Sequence, residues 1–195
     1  SDVCSSDLNI YFETIRCEDF EIFNLEYHNK RVANTIGLNL NLQEYIYPPN
    51  EELIRCKITY NDFEVLNVEY FPYKKREINS FKLIFDDELE YSKKYLNREA
   101  LDKVFTQKDD CDEIIIVKNG IVTDTTIANI AIFYDEVWIT SKNCLLKGTT
   151  RNRLLEDKFL VEKDITVNML KKASKIALMN AMIDFDIKEN YSFKE

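Results

Sequence analysis

Residues 113–124, Glu-Ile-Ile-Ile-Val-Lys-Asn-Gly-Ile-Val-Thr-Asp, constrain the fold more than any other stretch of the chain. Two β-branched runs flank Asn119-Gly120, the dipeptide favoured in two-residue hairpin turns because both of its residues tolerate positive φ. An antiparallel hairpin is therefore expected here. A second one should follow directly, with strands over 130–133 and 137–140 and a turn at Asp135-Glu136.

Upstream, residues 9–15 alternate apolar and polar side chains as a strand does, and 20–23 should pair with them as a hairpin. Leu25, Val32, Ile36 and Leu40 then recur at helical spacing, with Asn24 as N-cap and Gly37 as stop. That helix brings His28 and Arg31 close together. Residues 51–60 and 63–71 read as strands around an Asn61-Asp62 turn, and 81–85 as a short strand. Asn97 is placed to cap a helix to about Phe105 with Ala100, Leu101, Val104 and Phe105 inside. Beyond the hairpins, Lys147 to Arg151 leads into a helix carrying Leu154 and Leu155, followed by an amphipathic stretch over 167–173 and a last strand over 175–179. The predicted class is α/β (α+β), with a small α+β lobe over 9–86 and a strand-rich lobe over 87–195. Three Gly and three Pro in 195 residues leave no room for a flexible linker, so the division falls at a short connection.

Charge removes some functions. The 26 basic residues are outnumbered by 35 acidic ones, for a net charge of −9, and they are scattered rather than gathered in a stripe. Nucleic acid is therefore not an expected partner. Apolar runs such as Ile114 to Val117 are far shorter than the ~20 residues of a membrane-spanning helix. Five Cys without CxxC spacing, in a chain without a signal-peptide pattern, read as reduced thiols of a cytoplasmic protein. With a single His, no metal site is expected. Residues 1–8, Ser-Asp-Val-Cys-Ser-Ser-Asp-Leu, read as a foreign segment and are set aside.

Three features could carry chemistry. Gly148-Thr149-Thr150 before a helix offers backbone N–H groups and hydroxyls to an anion, although a helix start capped by Thr is the more ordinary reading. Asp124 and Asn129 bracket a short connection between strands, where Asx turns are common. Lys94 by itself reads as a surface lysine.

Their order and spacing resemble the class IV pyridoxal-phosphate-dependent aminotransferases, most closely the aminodeoxychorismate lyase branch. The resemblance runs through Phe12-Glu-Thr-Ile-Arg16, Leu25-Glu-Tyr-His28-Asn-Lys-Arg31, Lys94-Tyr-Leu-Asn-Arg98, Asp112-Glu-Ile-Ile-Ile-Val, Gly120-Ile-Val-Thr-Asp124-Thr-Thr-Ile-Ala-Asn129 and Leu145-Leu-Lys-Gly-Thr-Thr-Arg151. It implies the two-lobed fold type IV, with pyridoxal 5′-phosphate as cofactor between the lobes, and a homodimer.

The resemblance also implies roles. Lys94, at the family's spacing from Arg98, would carry the cofactor covalently and shuttle the proton; its neighbour Lys93 would not. Arg31 would pair with the cofactor phosphate, and Gly148, Thr149 and Thr150 would add N–H and hydroxyl donors. Asp124 stands where the family usually has Glu, opposite the pyridine nitrogen, and Asn129 would orient the ring. His28 would be structural, satisfying a local hydrogen bond. The family's glycine- and arginine-rich stretch is missing after Lys57-Ile-Thr-Tyr60, which leaves Arg16 and Lys57 as candidates for a substrate carboxylate. The implied activity is release of pyruvate from 4-amino-4-deoxychorismate to give 4-aminobenzoate, a folate precursor. The alternatives are a branched-chain or D-amino acid aminotransferase and a non-catalytic cofactor-binding homologue.

Overall fold

The structure, a computed structural model, describes residues 9–195, so the segment 1–8 lies outside the described residues. The chain is a mixed α+β protein that divides into two compact units. The first comprises the described residues up to Lys74 together with Lys93–Asn97, and the second Lys75–Ser92 and Arg98–Glu195.

In the first unit, β1 (Tyr11–Glu18), β2 (Glu21–Ile22), α1 (Leu25–Ile36), β3 (Ile54–Tyr60) and β4 (Val65–Pro72) follow in order. They build an antiparallel sheet in the order β2-β1-β3-β4. Tyr11, Ile15 and Cys17 of β1 alternate inward and pack with Ile54, Cys56 and Ile58 of β3 and with Val32 of α1. Glu13 falls on that same inward register and is fully buried.

β1 runs three residues past its expected end, because β3 continues to pair with it as far as Cys17↔Ile54. Phe20 is not in a strand. It shares positive φ with Asp19 (62° and 51°), which makes the pair a turn and leaves β2 only two residues. α1 ends as expected at Gly37, whose φ of 74° suits glycine and whose N–H donates to the Ala33 carbonyl at 2.8 Å. Asn24 precedes α1 but makes no side-chain cap. Its left-handed backbone (φ 54°, ψ 32°) departs from the extended geometry that lets an N-cap side chain reach the first helical N–H groups.

The second unit runs β5 (Ser80–Phe85), α2 (Glu99–Phe105), β6 (Glu113–Lys118), β7 (Ile121–Val122), β8 (Asn129–Tyr134), β9 (Val137–Ser141), α3 (Thr149–Glu156), β10 (Val161–Lys163), α4 (Val167–Lys172), β11 (Lys175–Asn180), β12 (Asp184–Lys188) and β13 (Ser192–Lys194). One sheet has the order β13-β5-β6-β7 and the other β10-β9-β8-β11-β12. A shared core lies on them: Phe81, Leu83, Ile115 and Val117 from the first and Ile130, Ile132, Ile139, Ile176 and Leu178 from the second. Both expected turns are present, Asn119-Gly120 with φ of 51° and 78° and Asp135-Glu136 with φ of 50° and 64°. α2 starts one residue later than expected, with Arg98 rather than Asn97 at its N-cap.

β5 belongs to this unit because it pairs in parallel with β6, five registered positions from Phe81↔Glu113 to Phe85↔Val117. β10, β12 and β13 are additions that the sequence pattern did not reveal. All three are edge strands, where one face or side meets water and the apolar alternation is weak. Among the described residues no helix is long and apolar enough to cross a membrane.

Candidate active site

In the first unit β1 and α1 assemble a buried polar cluster. Arg31 grips Glu13 with two bonds, Nε to Oε1 at 2.8 Å and Nη2 to Oε2 at 2.5 Å, while His28 Nδ1 lies 2.6 Å from Oε2. Burial pushes the Glu13 carboxyl upward, but the Arg31 charge and the bonds from His28 and Arg31 outweigh it and bring the pKa to about 2. Burial also holds His28 below its usual value, only partly opposed by Glu13. The imidazole is therefore neutral, its Nδ1–H donates to the carboxylate, and Nε2 is buried without a hydrogen-bond partner among the described residues. His28 does satisfy a hydrogen bond, but with a partner fifteen residues away on another element rather than a local one.

The segment Lys93–Asn97 docks on the start of β1: Phe12 N–H donates to the Lys94 carbonyl at 3.0 Å and Leu96 N–H to the Ile10 carbonyl at 2.8 Å. Its two lysines part company. Lys93 Nζ donates to the Thr35 carbonyl at 2.9 Å, whereas Lys94 Nζ stands 4.4 Å from the centroid of the Phe12 ring. Lys57 Nζ lies against the same ring, at 5.7 Å. Arg16 instead pairs with Glu18 and stacks its guanidinium over Phe23 at 5.4 Å.

In the second unit Asp124, Asn129 and Gly148 form one network. Asn129 Nδ2 donates to Asp124 Oδ1 at 2.9 Å and to the Leu146 carbonyl at 2.7 Å. Leu146 N–H donates to Asp124 Oδ2 at 3.0 Å, and Gly148 N–H to Asn129 Oδ1 at 3.0 Å. Gly148 is required sterically, since a Cβ there would sit 2.2 Å from Asn129 Oδ1. Its N–H is thus committed to Asn129. The donors that remain for an anion are the first-turn amides of α3, which have no acceptor within the helix, beside the buried Thr149 and Thr150. Burial raises the Asp124 carboxyl to about 6, against the hydrogen bonds from Leu146 and Asn129. Arg151, 1% exposed, ties α3 to the end of β9 through a 3.0 Å bond to the Ser141 carbonyl and an ion pair with Glu162.

Sequence reasoning assigned no role to Glu13 or Arg151. Glu13 had left a signal, a charged residue on the inward register of an otherwise apolar strand face. Arg151 left none, because its partners come from β9 and β10.

A family model described as amino-transferase class IV matches residues 92–186. An uncharacterized protein of Haemophilus influenzae is 34% identical over 182 residues, covering 88% of this chain and 96% of the relative. A Schizosaccharomyces pombe protein named "Putative aminodeoxychorismate lyase" is 27% identical over 193 residues, 84% of this chain and 82% of its own. A solved structure from Haemophilus somnus, titled as a putative 4-amino-4-deoxychorismate lyase, superposes with a TM-score of 0.82 at 34% identity over 89% of this chain and 96% of that one. The chain belongs to the class IV aminotransferase family. Members of this family are pyridoxal-phosphate-dependent enzymes acting on small molecules.

Proposed function

We propose that the protein is a pyridoxal-phosphate-dependent 4-amino-4-deoxychorismate lyase, releasing pyruvate and forming 4-aminobenzoate. The observation that carries this reading is the 34% identity, over 96% of its length, to the structure titled as a putative lyase of this kind. The donor set fits the cofactor. A primary amine, Lys94, suits its aldehyde. A guanidinium, Arg31, and the first turn of α3 at Thr149 and Thr150 suit its phosphate. A buried carboxyl network, Asp124 with Asn129 and the Gly148 turn, suits its ring nitrogen and ring edge.

The bound cofactor supplies an electron-withdrawing ring that acidifies the C–H bond of the carbon bearing the substrate's amino group. The residues supply the rest. Lys94 Nζ, held beside Phe12, would hold the cofactor through its amine and would act as the general base for that proton. Loss of the side chain would break its C–O bond to the ring and leave the ring aromatic, and the proton taken by Lys94 would be available to convert the departing enolate to pyruvate. Asp124 keeps the pyridine nitrogen protonated. Asn129, Leu146 and Leu145 donate to its carboxylate, so about one of its roughly four lone-pair positions remains for a ring N–H. Being one methylene shorter than the family's Glu, it works from a position fixed by that network. Lys57, against the same ring as Lys94, is the better placed of the two candidates for a substrate carboxylate, because Arg16 is engaged by Glu18. A cytoplasmic homodimer completes the proposal, and sedimentation checks its oligomeric part.

The test is the visible absorption of the protein with added cofactor, before and after borohydride reduction, in wild type and Lys94→Ala. A band that reduction fixes covalently on Lys94 is expected, followed by pyruvate release from the aminated substrate without a keto-acid partner. Conversion of the cofactor to its amine form by an amino acid would identify a transaminase instead. No band would remove the enzymatic reading.

A further inference from the structure

We propose that Glu13 is a positioning residue for phosphate recognition: its carboxylate fixes the plane of the Arg31 guanidinium, and so sets the preference for a phosphorylated cofactor over the same molecule without phosphate. The inference rests on the reading of Arg31 as the phosphate contact. An arginine stem has several rotatable bonds, and a guanidinium held by nothing would spread over many rotamers. Glu13 removes that freedom with two bonds, one to each carboxylate oxygen, at 2.8 and 2.5 Å. His28, one turn before Arg31 on α1, holds the same carboxylate at 2.6 Å, so the clamp is itself clamped.

Stability does not account for this arrangement. A buried ion pair is commonly replaceable by apolar side chains of similar volume at no loss, and this cluster additionally leaves His28 Nε2 buried without a partner among the described residues. One carboxylate, one guanidinium and a neutral imidazole also sum to no net charge. Selectivity for an anion then depends on the direction of the Arg31 donors rather than on a positive potential. The carboxylate does weaken the attraction that an anion feels. Were that the larger effect, removing Glu13 would strengthen the preference for phosphate, so the two effects predict opposite signs.

Dissociation constants for pyridoxal 5′-phosphate and for pyridoxal, measured by absorbance titration of the full chain, decide it. Wild type is compared with Glu13→Gln, Glu13→Asp and Arg31→Ala, each checked for folding by circular dichroism. The preference for the phosphorylated molecule is expected to fall ~10-fold in Glu13→Gln, about the worth of one charge-assisted bond. It should fall in the same direction in Glu13→Asp, which keeps the charge but withdraws the carboxylate, and at least as far in Arg31→Ala, while affinity for pyridoxal is unchanged in the Glu13 variants. An unchanged or stronger preference in both Glu13 variants, with a loss in Arg31→Ala, would overturn the role of Glu13 and leave that of Arg31 standing. An unchanged preference in Arg31→Ala would remove both. Equal weakening toward the two molecules, or failure of both Glu13 variants to fold, would make Glu13 a structural residue and overturn the inference.

Discussion

Two carboxylates, both fully enclosed by protein, have been driven in opposite directions. Glu13, in the first unit, is brought down to about 2, and Asp124, in the second, is raised to about 6. Burial acts upward on both. What differs is the bonded partner: Glu13 meets a guanidinium through two bonds plus an imidazole N–H, whereas Asp124 is bonded by neutral amides, of Asn129, Leu146 and Leu145, with the Arg151 charge the smallest influence. At Asp124 the neutral donors offset only part of the desolvation cost, whereas at Glu13 the directly bonded guanidinium reverses it. The first cluster thus keeps its acid ionised at every working pH. The second leaves its acid poised to respond to a cation, which is the charge a protonated pyridine nitrogen would bring.

The most damaging way to break the comparison is to strip the charge partner from the first cluster. Arg31→Met strands Glu13 in the interior and should cost about 3–5 kcal/mol in denaturant unfolding. A loss well under this would mean that water reaches the carboxylate or that it protonates freely.

Next in size is the pH dependence of stability, without added cofactor. Asp124 has a folded pKa of about 6 against an ordinary 3.8, so between those values the folded state holds a proton that the unfolded state has lost. Its contribution is present at acid pH and falls as pH rises from about 4 to 6, on the order of 3 kcal/mol in all. Glu13, lowered from 4.5 to about 2, behaves in the reverse sense, and its contribution is lost as pH falls through that window. Thermal unfolding of wild type and Asp124→Asn from pH 3.5 to 7 separates them. The variant should lack the decline between 4 and 6 while keeping any decline at the acid end. Parallel curves would refute the assignment to Asp124.

The smallest expected effect sharpens the second cluster. Gly148→Ala places a methyl group 2.2 Å from Asn129 Oδ1 and should cost about 1–3 kcal/mol as the turn shifts. The same shift moves the first turn of α3, so the affinity for the phosphorylated cofactor should fall together with stability. Wild-type stability in this variant would show that Asn129 can swing away, and that the network is less rigid than its four hydrogen bonds indicate.

Much of the fold was legible because it depends on one or two residues at a time. Asn119-Gly120 and Asp135-Glu136 turn where expected, and Gly37 ends α1, since each requires only positive φ at that position. The same local logic failed at Asn24, where the residue type suited a cap and the backbone did not. It placed the strand β5 but not its parallel pairing with β6, which begins nearly thirty residues later, and it missed the edge strands β10, β12 and β13. Of the candidate site, the family resemblance drew attention to Lys94, Arg31, Asp124, Asn129 and Gly148. It did not reveal that Gly148 spends its N–H on Asn129, or that Arg31 is already gripped by Glu13.

The sequence by itself determined the turns, the helix end at Gly37 and the membership of the chain in its family, because these are written in short runs whose backbone preferences need no distant partner. Only the tertiary structure decided what each buried carboxyl is. Glu13 and Arg31 stand eighteen residues apart, and Asp124 and Leu146 twenty-two, so the charge state of each acid follows from which donors folding brings to it and how much water it excludes.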